Sequence, residues 1–268
     1  MGLSYKFGFI GAGNMGFAMM QGLARAFQPE QICFYERDLN RAKKAAEATG
    51  AATADSGLAC ASSSEYVILA VKPQQLRAAA EEIREGISRR QILISIAPGI
   101  SIEDLKGIFG EEKRVVRAMP NTPALVGEGM SGVCYDERLF SQEEQETIRR
   151  FFESFGRMAL VEERLIHAVV CVSGSSPAYV YLFLEALADS GVKYGLPRDL
   201  AYEMAAQAVL GSARMLMETG EHPGRLKDQV CSPGGTTIAA VEALEEHGLR
   251  NAVMKGCDAC FEKCGNIR

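Results

Sequence analysis

Gly11, Gly13 and Gly16 stand at the spacing of a phosphate-binding turn, with Asn14 and Met15 between the last two. The apolar run Phe7 to Ile10 leads in, and a proline-free helical pattern, Met15 to Phe27, leads out. In such a strand-turn-helix the first glycine allows the tight turn. The second lets backbone approach a pyrophosphate, and the third lets the helix pack close to the strand. Free N–H groups at the helix start then face the phosphates, and the helix dipole favours their charge. About twenty positions on, where the ribose of a dinucleotide would lie, stands Glu36 with Arg37 beside it. A carboxylate there accepts hydrogen bonds from a ribose 2′-hydroxyl and repels a 2′-phosphate, whereas an arginine accommodates that phosphate. Both kinds of dinucleotide therefore stay open. The bland alternatives are a ligand-free turn and a solvated strand end.

A second chemistry sits near the other end. Ser232-Pro-Gly-Gly-Thr-Thr237 immediately precedes a helical pattern, Ile238 to Glu246. Gly234 and Gly235 make the turn flexible, while Ser232, Thr236 and Thr237 place hydroxyls beside exposed N–H groups, a setting for a small anion such as a carboxylate. Ser173-Gly-Ser-Ser176, which includes Ser175, offers similar polar backbone. Each alone would serve as well as a capping turn. The cysteines add less. Cys33, Cys60, Cys134 and Cys171 lie in apolar or small-residue segments and read as buried thiols. Cys257, Cys260 and Cys264 share one face if their segment is helical. The nearest histidine, His247, lies ten residues before Cys257, so no fourth ligand is at hand and no metal is expected.

These groups need elements to position them. Ile32 to Tyr35 reads as a strand, Leu39 to Thr49 as a helix stopped at Gly50, and Tyr66 to Val71 as a strand buried on both faces. The segment between, Ala51 to Ser64, has no clear pattern. A helix from Gln75 to Glu85, a strand from Gln91 to Ile96 and a helix from Ser101 follow. The strand Arg114 to Ala118 runs into Met119-Pro-Asn-Thr-Pro123, a rigid polar loop. Strand-helix alternation predicts a parallel sheet with right-handed crossovers. Gly129 to Tyr135, a helix from Gln142 to Phe155 and a strand from Arg157 to Val161 complete a Rossmann-type domain over residues 1–161. From Glu162 only helical patterns remain, so residues 162–268 are expected to form an all-α domain. Its apolar surface exceeds what so small a bundle buries, which predicts a homodimer; a compact monomeric bundle is the alternative.

The totals agree with a globular α/β protein: 268 residues, 47% hydrophobic and 24% charged. A net charge of −5 with no basic stripe excludes a nucleic-acid footprint. No apolar run reaches the roughly eighteen residues of a membrane span, and no charged-then-apolar leader precedes Phe7. The expected location is the cytoplasm.

Five motifs occur in order: the fingerprint at Phe9 to Gly16, Val71-Lys-Pro-Gln74, Met119-Pro-Asn-Thr-Pro-Ala124, Ser173-Gly-Ser-Ser-Pro-Ala-Tyr179 and Ser232-Pro-Gly-Gly-Thr-Thr237. Together they resemble pyrroline-5-carboxylate reductase over nearly the whole chain. The resemblance implies NAD(P)H-dependent reduction of 1-pyrroline-5-carboxylate to L-proline, and a helical dimerisation domain whose dimers often assemble into rings. It implies that Gly11, Gly13, Asn14, Met15, Gly16, Glu36 and Arg37 hold the nucleotide. Ala70, Val71, Lys72 and Pro73 would border the nicotinamide together with Met119, Pro120, Asn121 and Thr122. Ser175, Ser232, Gly234, Gly235, Thr236 and Thr237 would hold the substrate, with Thr237 facing the ring nitrogen as the catalytic hydroxyl. Three positions depart from many members: His167 and Val170 replace Asp and Thr, Asp55-Ser56-Gly57 lacks a cofactor-touching Asn, and Glu36 replaces a neutral residue. With Glu36, NADH is expected to serve at least as well as NADPH. Two rivals share the plan. A β-hydroxyacid dehydrogenase would place a lysine just after its Ser-Gly loop, and Ser173 to Leu184 contains none. A non-catalytic nucleotide sensor would not need the Ser232 to Thr237 loop.

Overall fold

The computed structural model describes residues 3–265. The chain runs β1 (Tyr5–Ile10), α1 (Asn14–Ala26), β2 (Ile32–Tyr35), α2 (Leu39–Thr49), β3 (Ala52–Thr53), α3 (Gly57–Ser62), β4 (Ser64–Leu69) and α4 (Pro73–Ile83). Then come β5 (Ile92–Ser95), α5 (Ile102–Phe109), β6 (Arg114–Met119), β7 (Gly129–Cys134), α6 (Gln142–Glu153), β8 (Gly156–Leu160) and α7 (Ile166–Val169). Five helices close the chain: α8 (Ser176–Lys193), α9 (Arg198–Thr219), α10 (Pro223–Val230), α11 (Thr236–Glu246) and α12 (Leu249–Cys264).

The strands form one sheet in the order β3-β2-β1-β4-β5-β6-β7-β8. All neighbours pair parallel except β6 and β7. The expected parallel sheet is thus interrupted once, because the short 3-10 turn Thr122–Val126 joins β6 to β7 with no room for a crossover. The sheet is apolar on both faces, as parallel sheets are. Phe7, Phe9, Phe34 and Tyr66 pack on one face with Phe151 and Phe155 of the α6 region. Ile10, Cys33, Val67, Leu69 and Leu93 pack on the other with α3, α4 and α5. Strand order reverses between β1 and β4, and ligands of such sheets collect at the carboxyl ends beside that switch point.

Caps explain the helix boundaries. Asp38 accepts from the Asn40 and Arg41 N–H groups at the start of α2, and Gly50, at φ +69°, ends it. Ser101 and Asp104 make a capping box on α5. The unpatterned stretch 51–64 holds β3 and α3; α3 starts because the Ser56 hydroxyl accepts from the Ala59 N–H.

The chain separates into two compact units. One runs to Ser175 and takes up the chain again from Cys260; the other is Ser176–Ala259. Residues 163–175, beyond the change of texture at Glu162, belong to the first unit. There Glu163 pairs with Arg117 of β6 at 2.9 Å, and Val169 lies so close to Gly132 of β7 that a Cβ there would stand 2.6 Å from it. In the second unit α8 packs on α9 through small residues: Ala188, Ala201 and Ala205 are buried. Most large apolar side chains of these helices stay exposed, among them Tyr181, Leu182, Met204 and Leu210, as does Met254 of α12.

One expectation needs correcting. By length and composition the helical run Glu163–Lys193 is apolar enough to cross a membrane. The sequence reading missed it because serines, glycine and proline at 173–177 break the apolar run, while only a few charges dilute it. The four dispersed cysteines, Cys33, Cys60, Cys134 and Cys171, are buried, and none of them forms a disulfide. On the last helix Cys264 is buried as well, and the Cys260 thiol lies 3.4 Å from the Ser175 hydroxyl.

Candidate active site

At the carboxyl ends of β1, β2 and β4 lies a cavity of about 200 Å³, lined by Gly11, Gly13, Glu36, Arg37, Val71 and Lys72 among others. The backbone makes its shape. Gly11 has φ +102°, and a Cβ there would stand 2.8 Å from the Ala70 carbonyl oxygen. A Cβ at Gly16 would stand 2.6 Å from the Gly11 carbonyl oxygen. Both glycines are therefore demanded by the chain itself. Gly13 is not: nothing lies within 4 Å of an added Cβ, and its φ is −64°. It is the N-cap of α1, with no side-chain cap and no acidic residue in the first turn. An uncapped helix start above open space fits a pyrophosphate, which needs N–H donors and close backbone approach. Asn14 and Met15 are the first two residues of that helix.

The ribose end is more organised than the sequence indicates. Glu36 is no solvated strand end; its side chain is 8% exposed. One carboxylate oxygen accepts from the Ala12 N–H at 2.9 Å and the other from the Asp38 N–H at 3.0 Å. Arg41, which the sequence reading passed over, stands 3.3 Å from Glu36 and 3.6 Å from Asp38. The Asp38 carboxyl lies below the usual range, first because the Arg41 backbone N–H donates to it. Arg37, also on the cavity wall, pairs there with Glu82 of α4 at 3.2 Å. Glu36 and Arg37 both line the cavity, just past the end of β2.

Ala70, Val71 and Lys72 join this cavity, whereas Pro73 faces a larger one of about 1040 Å³ beside Gly99, Arg117, Glu163 and His167. Met119, Pro120, Asn121 and Thr122 lie at the end of β6, with β5 between them and β4. The Asn121 side chain is buried and used internally. Its Nδ2 donates to the Ser173 carbonyl at 2.9 Å, and its Oδ1 accepts from the Met130 N–H at 2.8 Å. Ser173 belongs to a π-helical turn, Val170–Gly174, that the sequence pattern did not reveal. Ser175 follows it, its N–H donating to the Val170 carbonyl at 2.7 Å.

The remaining candidate residues lie in the second unit. Gly235 is the N-cap of α11, again with no side-chain cap and no acid in the first turn. Its N–H donates to the Ser232 carbonyl at 3.0 Å, closing the turn. Gly234 takes φ +68° in open space, and Thr236 and Thr237 occupy the first two helical positions. This start, like that of α1, presents donors and a positive dipole end to a small anion.

Residues 163–267 match a family model described as pyrroline-5-carboxylate reductase dimerisation, and residues 6–99 match one described as NADP oxidoreductase, coenzyme F420-dependent. Pyrroline-5-carboxylate reductase of Escherichia coli strain K12 is 45% identical over 260 residues, with 96% of each chain covered. The solved structure of a pyrroline-5-carboxylate reductase from Coxiella burnetii is similar at TM-score 0.90 and 32% identity, with 98% of each chain covered. That of Plasmodium falciparum pyrroline carboxylate reductase, with NADP bound, is similar at 0.87 and 32%, with 99% of each covered.

Proposed function

We infer that this chain, which belongs to the pyrroline-5-carboxylate reductase family, reduces the imine of 1-pyrroline-5-carboxylate to give L-proline, the last step of proline synthesis. One observation carries the reading: two helix starts, α1 and α11, each opened by a glycine N-cap and lacking both a side-chain cap and a first-turn acid. The first suits a pyrophosphate and the second a substrate carboxylate.

NAD(P)H, when bound, supplies the hydride. The rest is done by the chain. Gly11, Gly13 and Gly16, with the N–H groups of Asn14 and Met15, hold the phosphates, and Glu36 holds the ribose. Ala70 to Pro73 and Met119 to Thr122 border the nicotinamide and shield it from water. N–H groups and hydroxyls from Ser232 to Thr237, with Ser175, hold the carboxylate and orient carbon 5 of the ring. Thr237 donates a hydrogen bond to the nitrogen of the neutral imine and passes it a proton, which water replaces on the hydroxyl, so the iminium forms before reduction. Hydride adds to carbon 5, the C=N π electrons pass to nitrogen, and nitrogen keeps one proton. A protonated imine is already electrophilic, so orientation and water exclusion suffice.

NADH serves at least as well as NADPH. Glu36 stands where the glycine fingerprint expects the ribose, and its charge opposes a 2′-phosphate. Arg37 is held by Glu82 and Arg41 stands against Glu36 and Asp38, so both nearby guanidinium groups already face carboxylates. Residues 1–161 act as the nucleotide domain and residues 162–268 as the substrate and dimerisation domain. The exposed apolar faces of α8, α9 and α12 meet a second copy rather than lipid, dimers assemble into rings, no nucleic acid takes part, and the enzyme works in the cytoplasm. The test is oxidation of NADH and NADPH with pyrroline-5-carboxylate against a panel of 2-keto acids. Turnover with the imine alone is expected; turnover only with keto acids would sink the reading.

A further inference from the structure

Helix α8 opens with Ser176-Pro177, a place where proline is well tolerated. It has, however, no N–H to offer the carbonyl four residues back. Four residues before Pro177 is Ser173. The chain widens there into the π-helical turn Val170–Gly174, with Ser175 N–H reaching the Val170 carbonyl at 2.7 Å. The Ser173 carbonyl is left without its helical donor. Asn121 supplies one: its Nδ2 donates to that carbonyl at 2.9 Å, while its Oδ1 takes the Met130 N–H at 2.8 Å. The residue is 8% exposed, so its amide faces protein and not an open cleft. Met119, two residues earlier, touches the same turn; a Cβ at Gly174 would stand 3.4 Å from the Met119 Cε.

We propose that Asn121 is a positioning residue that replaces the donor Pro177 lacks, and so locks the Met119–Thr122 loop to the Ser173–Ser175 turn. This rests on the reading above, in which the loop borders the nicotinamide and the turn borders the substrate. Fixing one against the other sets the distance and angle for hydride transfer. Asn121 touches neither reactant through its side chain. A displacement of about 1 Å costs on the order of 100-fold in rate even when the altered residue is remote.

The test is a double-mutant cycle on hydride transfer in single turnover, with nucleotide Kd and Tm measured alongside. Asn121→Ala removes both bonds, and Asn121→Asp keeps shape and the acceptor for Met130 but turns a carboxylate oxygen onto the Ser173 carbonyl in place of the donor. Each is expected to slow transfer about tenfold or more with nucleotide Kd within about twofold. Pro177→Ala restores an N–H to the Ser173 carbonyl, so in that background Asn121→Ala is expected to cost less than about threefold. Three results overturn the proposal: a nucleotide Kd that weakens in step with the rate, a loss unchanged by Pro177→Ala, or variants that do not fold. If the unaltered enzyme fails to oxidise NAD(P)H with the imine, the functional reading itself falls, which these variants do not address.

Discussion

The two glycine turns that open α1 and α11 look alike in sequence and differ in what holds them. The first is clamped by its own unit. Gly11 and Gly16 are glycines because the Ala70 and Gly11 carbonyls leave no room for a Cβ, and the Glu36 carboxylate takes the Ala12 N–H between them. The second is held within its unit by the bond from Gly235 N–H to Ser232 carbonyl, on helices whose apolar side chains largely face outward. A preformed turn binds without a cost of ordering; a loosely supported one does not. The nucleotide turn is thus organised by the fold of a single chain. On the proposed reading, the turn before α11 is the one expected to gain rigidity from a second copy.

That contrast breaks most visibly at the dimer face. Leu182, on α8, is one of the exposed apolar residues. Leu182→Lys places a charge where a second copy should pack, and an unpaired buried charge costs several kcal/mol. The expected result is a monomer by light scattering, activity at least about 100-fold lower, and nucleotide Kd within about twofold. An active monomer at micromolar concentration would refute the dependence of the second turn on assembly.

Within the first turn the glycines should separate. Gly16→Ala forces a Cβ to within 2.6 Å of the Gly11 carbonyl oxygen. It should destabilise the protein by about 1–3 kcal/mol, as overpacking does, and weaken nucleotide binding at least tenfold. Gly13→Ala meets open space at an ordinary φ of −64°. Its Tm should stay within a few degrees while nucleotide Kd rises about tenfold, because only an incoming phosphate is obstructed. Thermal melts with calorimetric titration decide the matter. Equal stability loss in both variants would mean that Gly13 serves the fold alone.

Much of this was legible in the residues, for a physical reason in each case. Helix α2 is read to its ends because Asp38 and Gly50 are strong local caps. Strand β2 is read likewise, from a run with no competing pattern. Strand β3 and helix α3 hide because Ala, Thr, Ser and Gly dominate residues 51–64 and leave no periodicity to count. The π-helical turn hides because the apolar pattern from 163 to 172 is that of an ordinary helix; only Pro177, four residues after Ser173, betrays the missing donor. Arg41 escapes notice because Arg37 is next to Glu36 in sequence, while it is the first turn of α2 that brings a guanidinium back beside Glu36.

In the second turn the sharpest test is Thr237. Its hydroxyl sits at the start of α11, beside the N–H groups assigned to the carboxylate. Positioned proton transfer is typically worth about 10²–10⁴-fold, whereas one lost hydrogen bond is worth about 1 kcal/mol. Thr237→Ala should therefore lower turnover at least about tenfold, and Thr237→Ser should recover much of it. Nucleotide Kd should not move. If turnover holds and only the KM for the imine rises, Thr237 clamps the carboxylate and water brings the proton.

The smallest expected effect returns to the first turn, at its ribose end. Glu36→Ser removes a charge that opposes a 2′-phosphate and frees Arg41, which faces Asp38 alone once Glu36 is gone. Arg41 is more than half exposed, so it is free to swing toward a phosphate while screening by solvent keeps the gain modest. The substitution also removes the acceptor for the Ala12 and Asp38 N–H groups. Water replaces the bond to the exposed Asp38 N–H, whereas Ala12 is only 4% exposed, so leaving its N–H without an acceptor costs about 1–3 kcal/mol. NADH should therefore bind several-fold more weakly and NADPH no worse than before, a shift of about fivefold to tenfold in the ratio of kcat/KM values. Adding Arg41→Ala should cancel most of the NADPH side of that shift. An unchanged ratio in Glu36→Ser would show that the carboxylate shapes the turn and does not read the ribose.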